Sequence, residues 1–189
     1  GVKNVFNAGD LTEGVGVYKG QETEVKVYGT DAQVDHLVET YPKERGIKTM
    51  FITGNHDLRA YERGGADPGK LIESRRKDMK YLGPMQATID IAEGVDLELL
   101  HPAGSQSYAK SYKLQRLIDN RPVKERPSIL AIGHYHTDFY MDHGGVQGIQ
   151  VPATKEHGLF EKRLGLSGEL GGWMVEMTVR DGEIVRFRP

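Results

Sequence analysis

The stretch KTMFITGNHD, residues 48–57, decides the fold. Lys48 to Thr53 form a short, largely apolar run of the kind that makes a buried strand, and Gly54 ends it. After the glycine come an amide, an imidazole and a carboxylate, all able to bind a metal and the last two a proton. Three other places repeat this grammar of strand, turn and polar group. They are Gly9-Asp10 after a strand at 4–8, His101-Pro102 after a strand at 95–100, and Gly133-His134-Tyr135-His136 after a strand at 128–132. In layered α/β proteins ligands collect at the carboxyl ends of strands. Neighbouring strands running the same way bring all four junctions to one patch. A glycine before the ligand lets the backbone turn sharply, and Pro102 holds His101 extended.

Working outward, Val34, Leu37, Val38 and Tyr41 recur at helical spacing, with Asp31 as N-cap and Pro42 as the stop. A second helix is expected over 70–81, with Leu71, Ile72, Arg75 and Met79 on its inner face. A third is expected over 107–120, with Tyr108 and Tyr112 packed on a sheet. Residues 87–92 and 95–100 read as a hairpin over Glu93-Gly94, and 146–151 as a strand. Residues 173–179 and 183–188 read as a closing hairpin. Residues 12–30 and 154–172 read as loops. The pattern predicts an α/β fold, two mixed β-sheets stacked as a sandwich and flanked by helices.

At 189 residues, with 38% hydrophobic and 28% charged residues, the chain is expected to be one globular domain, or a domain with a small insertion, that can build its own core. The formal charge of −2 gives no bulk attraction for nucleic acid, though local cutting remains compatible with it. With no cysteine, thiolate metal sites, cysteine nucleophiles, iron–sulfur clusters and disulfides are excluded. No apolar run approaches a membrane span and no signal pattern opens the chain, so a cytoplasmic protein without membrane contact is expected. Oligomeric state is open. One carboxylate, one amide oxygen and three imidazoles suit manganese, iron, zinc or nickel better than calcium or magnesium. Five such groups exceed what one catalytic ion needs and suit two ions sharing a carboxylate.

In these motifs the chain resembles a calcineurin-like metallophosphoesterase. The matching segments are GDLTE (9–13), GNHD (54–57), the strand-end histidine His101 and GHYH (133–136), in the family's order. The resemblance implies hydrolysis of a small phosphomonoester or phosphodiester by a hydroxide bridging two metal ions, manganese foremost. It implies that Asp10 bridges the ions, that Asn55, His101 and His134 bind the second, and that His136 binds the first. His56 would give a proton to the leaving oxygen, with Asp57 orienting it. A nuclease of the same family, or a scaffold of low activity, are the alternatives. The family's opening Asp-x-His motif is absent from these 189 residues. The chain is therefore expected to be a single domain lacking the first strand and helix, and to hold the second ion better than the first.

Arg59, soon after GNHD, is a candidate phosphate contact, and Glu13 a supporting residue. His157 could line a cleft. His36 reads as a surface histidine, and Lys155, Lys162 and Arg163 as solvated loop cations. Loops 12–30 and 154–172 are expected to set substrate choice.

Overall fold

The computed structural model describes residues 1–156, 158–165 and 168–189, so the expectation for His157 lies outside the described residues. In chain order the elements are β1 (Asn4–Asn7), α1 (Thr30–Thr40), β2 (Lys48–Thr53), α2 (Asn55–Glu62), α3 (Pro68–Arg75), β3 (Met79–Pro84), β4 (Gln86–Ala92) and β5 (Val95–Leu100). There follow α4 (Lys110–Asp119), β6 (Ile129–Ile132), β7 (Phe139–His143), β8 (Val146–Gln150), α5 (Leu159–Leu164), β9 (Glu176–Arg180) and β10 (Glu183–Arg188).

Strands β1-β2-β3 form a wholly parallel sheet, and β4-β5-β6-β8-β7 a mixed one. Alternation along each strand divides the core. Ile52 of β2 meets Leu97, Leu99, Ile129, Ala131 and Ile149 of the mixed sheet between the layers. Phe51, one residue earlier, faces the other way and joins Val34, Leu37 and Ile72 of α1 and α3. On the outer face of the mixed sheet Leu114 and Ile118 of α4 pack on Leu130, Ile132 and Val146. Each of these fully buried aliphatic side chains contributes about 1.5–3 kcal/mol relative to exposure. The result is an α/β fold of two facing sheets with helices outside, the parallel sheet being the one that is not mixed. The β9–β10 hairpin lays Met177, Ile184 and Phe187 against the inter-sheet core.

Several local expectations change. The helix expected over 70–81 ends at Arg75, and Met79 starts β3. Met79 is buried on the α1–α3 side, so a strand supplies the apolar group that helical spacing had assigned to the helix. Residues 54–57 open α2 rather than a loop, and β7 and α5 lie in stretches not read as regular structure. Gly29, not Asp31, precedes α1. Tyr108 is fully exposed and Tyr112 about half so, because α4 buries Leu114 and Ile118 instead. Among the described residues no helix is long and apolar enough to cross a membrane.

Candidate metal centre

The carboxyl ends of β1, β2, β5 and β6 meet where the two sheets face each other. Met85, with φ 63°, carries the chain from one sheet to the other there. Its N–H donates to the Thr53 carbonyl (2.8 Å) and its carbonyl accepts from the His101 N–H (2.7 Å). The junctions approach so closely that side chains are excluded at two positions. A Cβ on Gly9 (φ 95°) would lie 2.6 Å from His101 Nδ1. One on Gly54 would strike Asp10 Oδ1 and lie 2.6 Å from His101 Cε1. Asp10, His134 and His136 all have left-handed backbones, with φ of 58°, 72° and 50°. Such strain costs of order 1 kcal/mol each and gathers at functional sites.

His101, 1% exposed, is the hub. Its Nδ1 lies 2.8 Å from the Ala8 carbonyl, which can only accept, so Nδ1 carries the hydrogen. Its Nε2 therefore faces inward, 3.0 Å from Asn55 Oδ1, 3.2 Å from Asp10 Oδ2 and 3.2 Å from His134 Nδ1. His134 is fixed in the same way: Nε2 donates to the Gly104 carbonyl at 2.7 Å, which turns the Nδ1 lone pair inward. Two oxygens and two ring nitrogens thus point their lone pairs at one spot. That arrangement is repulsive unless a proton or a metal cation sits among them, and a second ring nitrogen bonded to a carbonyl is how proteins orient metal-binding histidines. The ligand atoms of Asp10, His101 and His134 all lie within 4.8 Å of one another.

Charge follows the geometry. Burial raises the Asp10 pKa, but the hydrogen bond and charge of His101, with His56, outweigh it and hold the carboxylate ionised. Burial opposes a charge on His101, yet the bond and charge of Asp10 raise its pKa overall. His134 is lowered by burial and by His101, and His136 chiefly by burial. His136 does not belong to the close group. It is felt instead by Asp10, Glu161, His56 and Lys155.

The expected orienting bond from Asp57 to His56 is absent. Asp57 Oδ1 accepts from the Thr12 N–H (2.7 Å) and Oγ1 (2.8 Å), and Oδ2 from the Leu11 (3.2 Å) and Gly54 (2.9 Å) N–H groups. The carboxylate ties the 9–13 segment to the start of α2, and burial with the Asp10 charge pushes its pKa up to about 6. His56 Nδ1 donates instead to the Glu13 carbonyl (2.9 Å), and the His56 N–H donates to Asp10 Oδ1 (2.9 Å). Arg59 is engaged too: Nε donates to the Gly16 carbonyl (3.0 Å) and Nη1 pairs with Glu62 (3.2 Å). Glu13 pairs with Lys155 at 2.9 Å.

Two residues that sequence reasoning missed hold loop 12–30 in place. Buried Gln33 binds the Gly14 N–H and carbonyl and the Val27 carbonyl, and buried Gln21 binds the Glu13 carbonyl and the Val17 N–H. Gln33 lies one helical turn before Leu37, so a polar residue on the apolar face was the available signal.

Two facing sheets that meet at strand-end polar groups give this chain an α/β sandwich with a possible metal-binding group, an arrangement that resembles the metallophosphoesterases. Proteins similar to it in sequence are DNA polymerase II small subunits. That of Archaeoglobus fulgidus is 28% identical over 222 residues, covering 99% of this chain and 44% of the relative. That of Methanocaldococcus jannaschii is 28% identical, covering 88% of this chain and 33% of the relative. The chain thus spans less than half the length of these curated relatives. No family model matches it. Among solved structures, an archaeal phosphodiesterase gives a TM-score of 0.46 at 12% identity, covering 80% of this chain and 67% of that one. Vacuolar protein sorting 29 of Cryptosporidium parvum gives 0.33 at 13%, covering 82% and 84%. At those scores the likenesses add no weight to the strand order and the junction residues.

Proposed function

We propose that the chain carries a metal-dependent phosphoesterase site, with a divalent transition ion seated among Asp10, Asn55, His101 and His134. The observation that supports it is the convergence of their four lone-pair atoms, with both histidines oriented by the Ala8 and Gly104 carbonyls. Such an ion would supply Lewis-acid stabilisation of phosphoryl charge and a water of lowered pKa, and the N/O donor set suits manganese, iron, zinc or nickel, of which we put manganese first. Asp10 belongs to that group and its charge also acts on His136, so we assign it a carboxylate shared with a second ion there. His56, with its Nδ1–H committed to the Glu13 carbonyl, keeps Nε2 free and, as the imidazolium, would give a proton from it to a leaving oxygen. Asp57 and Arg59 act as positioning residues.

Hydrolysis of an activated aryl phosphodiester in millimolar manganese tests this reading. Turnover should need the metal, vanish in Asp10→Asn, and fall in His56→Asn by roughly 100- to 10,000-fold for poor leaving groups. The loss in His56→Asn should be smallest for good leaving groups.

A second reading is favoured by relatives that are polymerase small subunits. In it the domain binds a metal but serves as a binding part of a polymerase assembly. Metal binding without any manganese-dependent turnover would sink the first reading in favour of the second.

A further inference from the structure

The opposite end of the parallel sheet carries a cleft of about 350 Å³, walled by the α1–β2 loop and the α3–β3 link. Its charged lining is Lys43, Glu44, Arg45, Lys48, Lys77 and Asp78. The walls are held by Arg76, only 4% exposed, which donates to the carbonyls of Val38 (3.1 Å), Tyr41 (2.9 Å) and Pro42 (3.1 Å). The same guanidinium grips Asp78 through two bonds of 2.9 and 2.6 Å. Asp78 is therefore already neutralised by a buried partner.

Lys43, Arg45, Lys48 and Lys77 are exposed, and among the described residues none joins an ion pair. Glu44 is the remaining anion of the lining. Four cations gathered on preformed walls, in a chain whose net charge is −2, repel one another and attract an anionic partner. A peptide or a membrane surface would be anchored by large exposed apolar side chains, and the lining holds only the half-buried Ile47. A phosphodiester backbone needs only the charges.

We propose that this cleft binds the phosphate backbone of a nucleic acid, without reading its bases, at a site separate from the metal centre. The inference does not depend on the phosphoesterase reading. The test is fluorescence anisotropy of a short labelled DNA duplex with the 189-residue chain. If four phosphates are contacted, log affinity should fall against log salt with a slope of about −3.6, roughly a hundredfold between about 50 and 200 mM. The triple variant Lys43→Ala, Arg45→Ala, Lys77→Ala should bring the slope to about −0.9 and weaken binding throughout. Lys43→Arg with Lys77→Arg should retain binding. So should Asp10→Asn, which separates this proposal from the metal site. If the triple variant melts early, Arg45→Ala alone should still change the slope by about 0.9. The proposal is overturned if the wild-type chain does not bind the duplex, or if the neutralised variants bind it with unchanged affinity and slope. It is also overturned if polyglutamate of equal charge binds as tightly as the duplex, because the cleft would then be a site for acidic polypeptide.

Discussion

Replacing Asp57 with asparagine keeps the size of a fully buried side chain and changes only what its two termini can accept. The carboxylate takes four donors, two on each oxygen. An asparagine amide offers one oxygen and one NH2. With NH2 at Oδ2, the Leu11 and Gly54 N–H groups both face a donor. With NH2 at Oδ1, the Thr12 hydroxyl can turn to accept, but the Thr12 N–H is stranded. A stranded buried donor costs about 1–3 kcal/mol, and the other bonds lose their charge-assisted strength. Removing a buried charge beside Asp10 offsets part of this, so the net loss should be about 2–3 kcal/mol. For a domain of this size that is roughly 5–10 °C in Tm. The assay is a thermal melt and a urea titration of the metal-free chain. If Tm moved by less than about 1 °C while metal-dependent turnover collapsed, Asp57 would act through His56 and its role as a clip would be refuted.

Three further outcomes are expected. Gly54→Ala meets no backbone strain but drives a methyl into His101 and Asp10, so manganese affinity by calorimetry should fall at least about tenfold; an unchanged affinity would contradict the close approach. Gln33→Ala strands three backbone groups and should cost about 2–3 kcal/mol, with faster proteolysis within 12–30. Unaltered cleavage there would mean that the glutamine is not what orders the loop. Because Asp10 raises the His101 pKa, a proton must leave His101 before metal enters, so affinity should climb as pH rises through and above about 6.5. Calorimetry in buffers of different ionisation heat should show proton release on metal binding. Its absence would contradict the sign.

The strands were legible where apolar runs end at a glycine, as at 48–53, because a strand with both faces covered needs no alternation to be recognised. The start of α2 was not, since Gly54 provides no capping side chain and only Asp57, three residues on, marked it. Helical spacing misplaced Met79 because α3 and β3 fill one cluster from two elements. At the site, residue types and spacing brought Asp10, Asn55, His101 and His134 into view. What orients them, the carbonyls of Ala8 and Gly104, is main-chain chemistry that no side-chain pattern displays. The same holds for Asp57, whose four partners include three backbone N–H groups. The basic cleft was hidden by a whole-chain charge of −2, which averages over opposite ends of one sheet.

Diffraction from crystals soaked in zinc or manganese, with anomalous scattering at the metal edge, probes the inward-facing lone pairs themselves. A peak within about 2.0–2.3 Å of Asp10, Asn55 Oδ1, His101 Nε2 and His134 Nδ1 is the expected result. Crystals saturated with metal that show no peak there, or only ions on exposed carboxylates elsewhere, would contradict it.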